Sequence, residues 1–178
     1  MQIIGKGGFA REVSAYLQCL GVKSEMYTHD ECPEHGKKII AIGSVEARKY
    51  VSEWFGQVLF ECLDFGPTFS QRITSEGTII CPGAIITTNV TVGRHVIVNL
   101  NATIGHDCQI GDFVTISPGA HLSGNVKVGN LCYIGTGAVI REKITICDGV
   151  TIGAGSAVVN DITEPGTYVG VPAKKIDK

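Results

Sequence analysis

The sequence is short of charge, aromatic rings and long apolar runs, and each shortage closes off a class of protein. Charged residues make up 18% of the 178 and the formal net charge is −2. That is no field for a polyphosphate backbone, and no Lys/Arg run interleaved with aromatics appears, so nucleic acid is not the expected partner. No stretch of about 18 apolar residues occurs, and the start "MQIIGKGGFAREV" has no long apolar segment of the kind a secretory leader carries. The expectation is a cytoplasmic protein without membrane insertion. The seven cysteines, at 19, 32, 62, 81, 108, 132 and 147, are odd in number and never form C-x-x-C. Neither a disulfide framework nor a zinc ribbon follows from that spacing, and reduced thiols do.

What the chain has is glycine, 23 residues of it, and a repeat. Residues 80–163 divide into blocks of six, from ICPGAI through IGHDCQ and LSGNVK to VVNDIT, and every block begins with Ile, Leu or Val. The fifth position is small or aliphatic. Positions five and one lie two apart, so both point to one side of a strand while position six faces out. Positions two to four must turn, with glycine supplying positive φ and Asn or Asp tolerating it next best. Three strands and three corners close one triangular coil of eighteen residues, and fourteen blocks make nearly five stacked parallel coils. An antiparallel sandwich would need varied strand lengths, which the unbroken phase contradicts. Cys108 and Cys132 fall on the inward fifth position, where a thiol acts as a small hydrophobe.

The first half reads differently. "QIIGKGGFAREVSAYLQCLG" is a short strand, a glycine turn and a helix, with Phe9, Val13 and Leu17 at helical spacing. "SEMYTHD" and "KKIIAIGSVEARKYVSEW" add two strands, the second running into a helix at Ser44. The fold class is therefore a small Rossmann-like α/β unit, residues 1–66, followed by a parallel β-helix, residues 67–178, with the boundary at Gly66-Pro67. Taken alone, Gly5-Lys6-Gly7-Gly8 is either a bare tight turn or an incomplete phosphate loop, lacking both G-x-G-x-x-G and G-K-[ST].

The repeats are the hexapeptide signature, and the sequence resembles the left-handed β-helix acyltransferases. The handedness comes from that resemblance, since the ordinary crossover rule favours the other hand. "GHDCQIGDF", "ISPGAHLSGNVKVG", "GTGAVI" and "GTYVGVPAKKI" are together similar to the sugar acetyltransferases of the bacillosamine and sialic acid pathways, the PglD/NeuD family, over nearly the whole chain. The resemblance implies nucleotide binding by the truncated Rossmann-like unit at Gly7, Gly8 and Phe9, at Thr28, His29 and Asp30, and at Gly43. The chain departs from the family at Phe9, where histidine is usual, and at Thr28 and His29, where acidic residues are usual. The resemblance also implies a homotrimer with acetyl-CoA along the outside of the helix between neighbouring subunits, meeting Thr115, Thr136 and Ala154, with Lys174 and Lys175 near its phosphates. A solvated basic tail is the plain alternative for those two lysines.

His106 stands third in its block, at a corner, so its ring leaves the coil. An exposed surface histidine is the plain reading. Eighteen residues on, the stacked corner carries Ser123-Gly124-Asn125, where a glycine leaves a backbone N–H uncovered, as an oxyanion donor requires. The resemblance implies a general base at His106, an acidic neighbour at Asp107 and the backbone donor at Gly124. An imidazole, with an ordinary pKa of about 6.5, suits proton removal from an attacking amine. His95, at a fourth position, and His121, at a sixth, are both expected to point outward, but the three histidines offer no closely spaced pair for zinc. No metal is expected.

The function implied is acetyl-CoA-dependent N-acetylation of a nucleotide-linked 4-amino-4,6-dideoxy sugar by direct transfer. Two alternatives stay open: O-acetylation of a sugar hydroxyl, sialic acid included, and a noncatalytic β-solenoid scaffold.

Overall fold

The computed structural model describes residues 1–56, 60–65 and 75–176. The expected boundary at Gly66-Pro67 lies outside the described residues. The N-terminal unit runs β1 (Gln2–Ile4), α1 (Gly8–Cys19), β2 (Glu25–Tyr27), β3 (Lys38–Ile40) and α2 (Val45–Phe55), followed by β4 (Leu63–Asp64). Its sheet has the order β2-β1-β3, all parallel. Neighbouring isoleucines in β1 and β3 are buried on both faces, which is why these strands carry unbroken apolar runs. Ile3 and Ile39 pack with Ala10, Val13 and Leu17 of α1, while Ile4 and Ile40 pack with Val51 of α2 and Phe60.

From Ile79 onward the chain winds through short parallel strands on three faces. Face one includes Ile97–Val98, Thr115–Ile116 and Tyr133–Ile134; face two includes Thr103–Ile104, His121–Leu122 and Val139–Ile140; face three includes Gln109–Ile110 and Lys127–Val128. Each residue pairs with the one eighteen later, as in Thr103↔His121 and Gln109↔Lys127. That shift is the coil length read from the six-residue phase. The first and fifth positions of the blocks fill the interior, among them Ile104, Ile116 and Ile134 at 0% exposure beside Cys108 and Cys132. Each such isoleucine contributes about 1.5–3 kcal/mol by leaving water. Burial also pushes the Cys132 thiol up to about 11 and that of Cys81 to about 12, so these thiols stay protonated and inert at neutral pH.

Two expectations about the corners need correction. The left-handed backbone sits at position four of each block from Gly83 to Gly155, and at Asn89, Asp107, Asn125 and even Phe113 it is not glycine that adopts it. The position-two glycines lack positive φ and are there for space. A Cβ on Gly105 would stand 2.7 Å from the Gly124 nitrogen of the next coil.

The second correction concerns His95 and Thr115, expected in the open. Both do leave the coil, but α2 and the turn before it lie over them, leaving His95 1% and Thr115 4% exposed. His95 stacks on Phe113 with ring centroids 5.1 Å apart, meets Phe60 edge-on, and shares a 2.9 Å hydrogen bond through Nε2 with Ser52 Oγ. Burial, with Arg48 and Arg94 nearby, lowers its pKa to about 4.

Arg48 joins the two units. Fully buried on α2, it donates from Nε to His95 O at 2.8 Å, from Nη1 to Ile42 O at 2.7 Å, and from Nη2 to Phe113 O and Thr115 Oγ1 at 3.0 and 2.9 Å. Burial lowers its pKa to about 10, still cationic at neutral pH. Carbonyl oxygens, not a carboxylate, hold the charge. β4 also bridges the units, for Leu63 and Asp64 pair in parallel with Ile79 and Ile80. At the other end, Gly166–Val169 pairs with Val150–Ile152 and turns back antiparallel along Lys174–Ile176.

Candidate active site

The three segments expected to bind a nucleotide follow the carboxyl ends of β1, β2 and β3, so the parallel sheet brings them to one edge, where open α/β sheets take their ligands. Gly5 has φ +132°, and a Cβ there would meet Ala41 O at 2.7 Å; at Gly7 and Gly43, by contrast, a Cβ would meet nothing within 4 Å. The open glycines leave room for close backbone approach. α1 begins at this edge with Gly7 as N-cap, no capping side chain and no acidic residue in its first turn. α2 is instead capped by Ser44, whose Oγ accepts from Ala47 N, with Glu46 in the first turn. The uncapped start of α1 presents the positive end of its dipole, where an anion is favoured. Lys6 is held by Glu31, which also accepts from Thr28 N; these bonds, that from Lys6 foremost, depress the Glu31 carboxyl to about 2. His29 packs edge-on against Trp54, with centroids 5.2 Å apart.

Between this edge and face one lies a cleft of about 400 Å³ whose lining includes Phe9, Glu12, Gly43, Ser44, Asn99 and Ser117. Ser117 Oγ is buried without a hydrogen-bond partner among the described residues, and Glu12 is the charged residue in the lining. Asn99, Ser117 and Ser44 carry no signal in the sequence as site residues, because the cleft exists only where two units meet. A larger hollow, about 700 Å³, lies at the amino ends of the strands beside Gln2, Lys23 and Glu25, away from every candidate residue.

His106 stands on the corner between faces two and three. Its Nδ1 shares a 2.7 Å hydrogen bond with Asp107 Oδ2. Both side chains are well exposed, and the bond from His106, then that from Asn89, lowers the Asp107 pKa. On the coil above, Gly124 lies against the ring, and a Cβ there would stand 2.5 Å from His106 Nε2. Only glycine leaves that space. Gly124 N–H donates to no group among the described residues. On the neighbouring corner the amides of Arg94, Asp112 and Asn130 are each taken, at 2.8 Å, by an Asp or Asn side-chain oxygen from the coil above. For Gly124 the residue one coil above is Glu142, whose side chain does not take its amide among the described residues, so a bare donor stands on the glycine that packs against a ring nitrogen, an arrangement able to accept a proton and stabilise an oxyanion.

Thr136 and Ala154 are exposed and stack on the corner between faces one and two, with Gly155 N donating to Thr136 O at 2.8 Å. Lys174 is exposed on the C-terminal hairpin, and Lys175 pairs with Glu164 at 2.9 Å. Thr115 is not with them, being held under α2 by Arg48. His121 faces out on face two with Nδ1 2.9 Å from Thr103 Oγ1, on a different side of the prism from His95. Among the described residues no helix is long and apolar enough to cross a membrane.

The chain is similar to several known proteins. Residues 107–142 match the family model described as bacterial transferase hexapeptide (six repeats). A curated relative, GDP-perosamine N-acetyltransferase of Escherichia coli O157:H7, is 39% identical over 49 residues, which span 28% of this chain and 22% of that protein. The acetyltransferase domain of PglB from Neisseria gonorrhoeae superposes with a TM-score of 0.83 and 30% identity over 98% of each chain, and that domain is also solved with acetyl coenzyme A. PerB from Caulobacter crescentus, solved with CoA and GDP-perosamine, superposes with a TM-score of 0.87 and 26% identity over 99% of this chain and 96% of its own. The fold is an α/β unit on a left-handed β-helix.

Proposed function

We propose, for a chain that belongs to the hexapeptide-repeat acetyltransferases, that it moves the acetyl group of acetyl-CoA to the amine of a nucleotide-linked 4-amino-4,6-dideoxy sugar. One observation carries the reading: His106 Nε2 stands against a side-chain-free Gly124 whose amide is unpartnered among the described residues. As the amine attacks the thioester carbonyl, Nε2 takes its proton, a contribution of about 10²–10⁴ in rate. The carbonyl oxygen becomes an oxyanion that the Gly124 N–H stabilises. When the tetrahedral centre collapses, the C–S bond breaks and the imidazolium returns its proton to the thiolate. Asp107 holds the other ring nitrogen throughout.

The nucleotide's phosphates suit the uncapped start of α1 at Gly7 and Gly8, and the sugar suits the cleft beyond Gly43. An amine acceptor fits that cleft better than sialic acid. Glu12 is the charged side chain of the lining and offers an ammonium a partner that it denies a sugar carboxylate, while the Arg48 cation behind Thr115 is already engaged by carbonyl oxygens. Neutral Asn99 and the orphan hydroxyl of Ser117 suit sugar hydroxyls.

The parts lie on separate corners of one prism: His106 between faces two and three, Thr136 and Ala154 between faces one and two, and the N-terminal unit over face one and the third corner. A homotrimer, with acetyl-CoA between neighbouring prisms, brings one copy's His106 to another copy's exposed row. That relatives of this fold are solved with CoA or acetyl coenzyme A supports a CoA site on the chain.

The test is CoA release with UDP-, dTDP- and GDP-linked 4-amino sugars beside free sialic acid. Turnover with an amino sugar, lost in His106→Ala with the oligomer intact on gel filtration, is the expected result. Turnover with hydroxyl acceptors alone overturns the N-acetyl assignment, and unchanged turnover in His106→Ala removes the histidine from the chemistry.

A further inference from the structure

Asn89 stands one coil below Asp107, eighteen residues earlier, at the same fourth position of its block. Its Nδ2 donates to Asp107 Oδ1 at 3.2 Å, while the other carboxylate oxygen, Oδ2, meets His106 Nδ1 at 2.7 Å. The carboxylate is thus shared between two partners, one oxygen each. Its backbone is fixed from the same coil, since Asp107 N donates to Thr88 O at 3.0 Å.

We propose that Asn89 is a positioning residue for the base, orienting the Asp107 carboxylate so that His106 is held as its Nδ1–H tautomer with Nε2 free to accept a proton beside Gly124. The reasoning is steric and chemical. Asp107 is exposed, and a lone surface carboxylate rotates about its last torsion with little resistance. An amide nitrogen can only donate, so Asn89 requires a lone pair of Oδ1 and fixes that torsion. Oδ2 is then presented to Nδ1 as an acceptor, the ring carries its proton there, and the lone pair falls on Nε2. A partner one shell behind a functional histidine commonly sets its tautomer and basicity in this way. The other charged groups of this corner, Glu142 and Lys143, belong to the coil above Gly124 and Asn125.

The plain alternative is that Asn89 only satisfies its left-handed backbone, φ +56°. Glycine satisfies that conformation at least as well and removes the amide, while aspartate keeps the shape, tolerates the conformation and cannot donate when ionised. Both Asn89→Gly and Asn89→Asp therefore separate the two roles without unfolding the corner. The first measurement is ¹⁵N NMR of the His106 ring in the intact oligomer at a pH where the imidazole is neutral. It needs no acceptor sugar, so it stands apart from the proposed reaction on which the kinetic meaning rests. The expected spectrum shows a dominant Nδ1–H tautomer in the unmodified protein and a mixed population in both variants. In CoA-release kinetics, kcat falls about 5–30-fold, the range one to two kcal/mol corresponds to, with both KM values kept within twofold. Wild-type tautomer populations in both variants overturn the proposal. So does unchanged kcat in a protein that turns over its acceptor. A locked tautomer in a protein that acetylates no amino sugar leaves the proposal standing and sinks the assigned reaction instead.

Discussion

His106 Nε2 and the α-carbon of Gly124 are packed so closely that a methyl group on the glycine would stand 2.5 Å from the ring nitrogen. Gly124 has no positive φ, so its identity is dictated by space alone. Gly124→Ala should fold, because its backbone suits alanine and the exposed ring can swing aside, yet lose its activity. The displaced imidazole no longer faces the amide, and kcat should fall by about 10²–10⁴, the usual contribution of a positioned general base. Near-normal kcat with an unchanged oligomer would separate Gly124 from the chemistry.

Two further glycines make a matched pair. A Cβ at Gly43 meets nothing within 4 Å, whereas at Gly105 it meets the backbone of the next coil at 2.7 Å. Gly105→Ala should destabilise the helix by about 1–3 kcal/mol, the cost of overpacking. Gly43→Ala should change stability by less than about 0.5 kcal/mol but raise KM for the nucleotide sugar several-fold. Urea denaturation and steady-state kinetics on both variants check this, and an unaltered KM in Gly43→Ala counts against a ligand at that turn.

Arg48 holds the N-terminal unit to the prism through carbonyl oxygens of Ile42, His95 and Phe113. Arg48→Ala strips several buried acceptors of their donor at once. A loss of about 3–5 kcal/mol is expected, because each buried acceptor left unpaired costs about 1–3 kcal/mol. Calorimetry reads it as a large drop in Tm.

His95 makes the junction acid-sensitive. Its folded pKa, about 4, lies below the ordinary 6.5, so between those values the unfolded chain binds a proton that the folded chain refuses. Stability is intact above about pH 6.5 and declines as pH falls towards 4, by about 2 kcal/mol between pH 7 and pH 5. His95→Asn, which tolerates the left-handed backbone at φ +54°, should flatten that decline in urea titrations at the two pH values.

The sequence makes the prism legible because its period is rigid. Each six-residue block fixes which side chains go in, and eighteen residues fix who stacks on whom. Asn89 is within reach of the same counting, since it stands eighteen before Asp107. The function of Arg48 is not. Its pattern on α2 reads as an ordinary charged helix position, and only the docking of that helix on His95 and Phe113 makes it an internal cation. The same docking buries Thr115 and His95, whose outward phase is plain in the sequence while their surroundings are not. Periodicity reports direction within one element and says nothing of what another element lays over it. The position-two glycines mislead for a related reason, since sequence shows a missing side chain without showing whether torsion or crowding demanded it.

β4, set against Ile79–Ile80, has a consequence for anyone cutting this chain in two. The first strand of face one finds its backbone partners in Leu63 and Asp64, so the lower mouth of the prism is stoppered on that side. A fragment trimmed to the repeats alone would present naked peptide donors and acceptors in register for another copy, and stacked repeats need a terminal plug to remain soluble. Such a fragment should grow end to end into filaments.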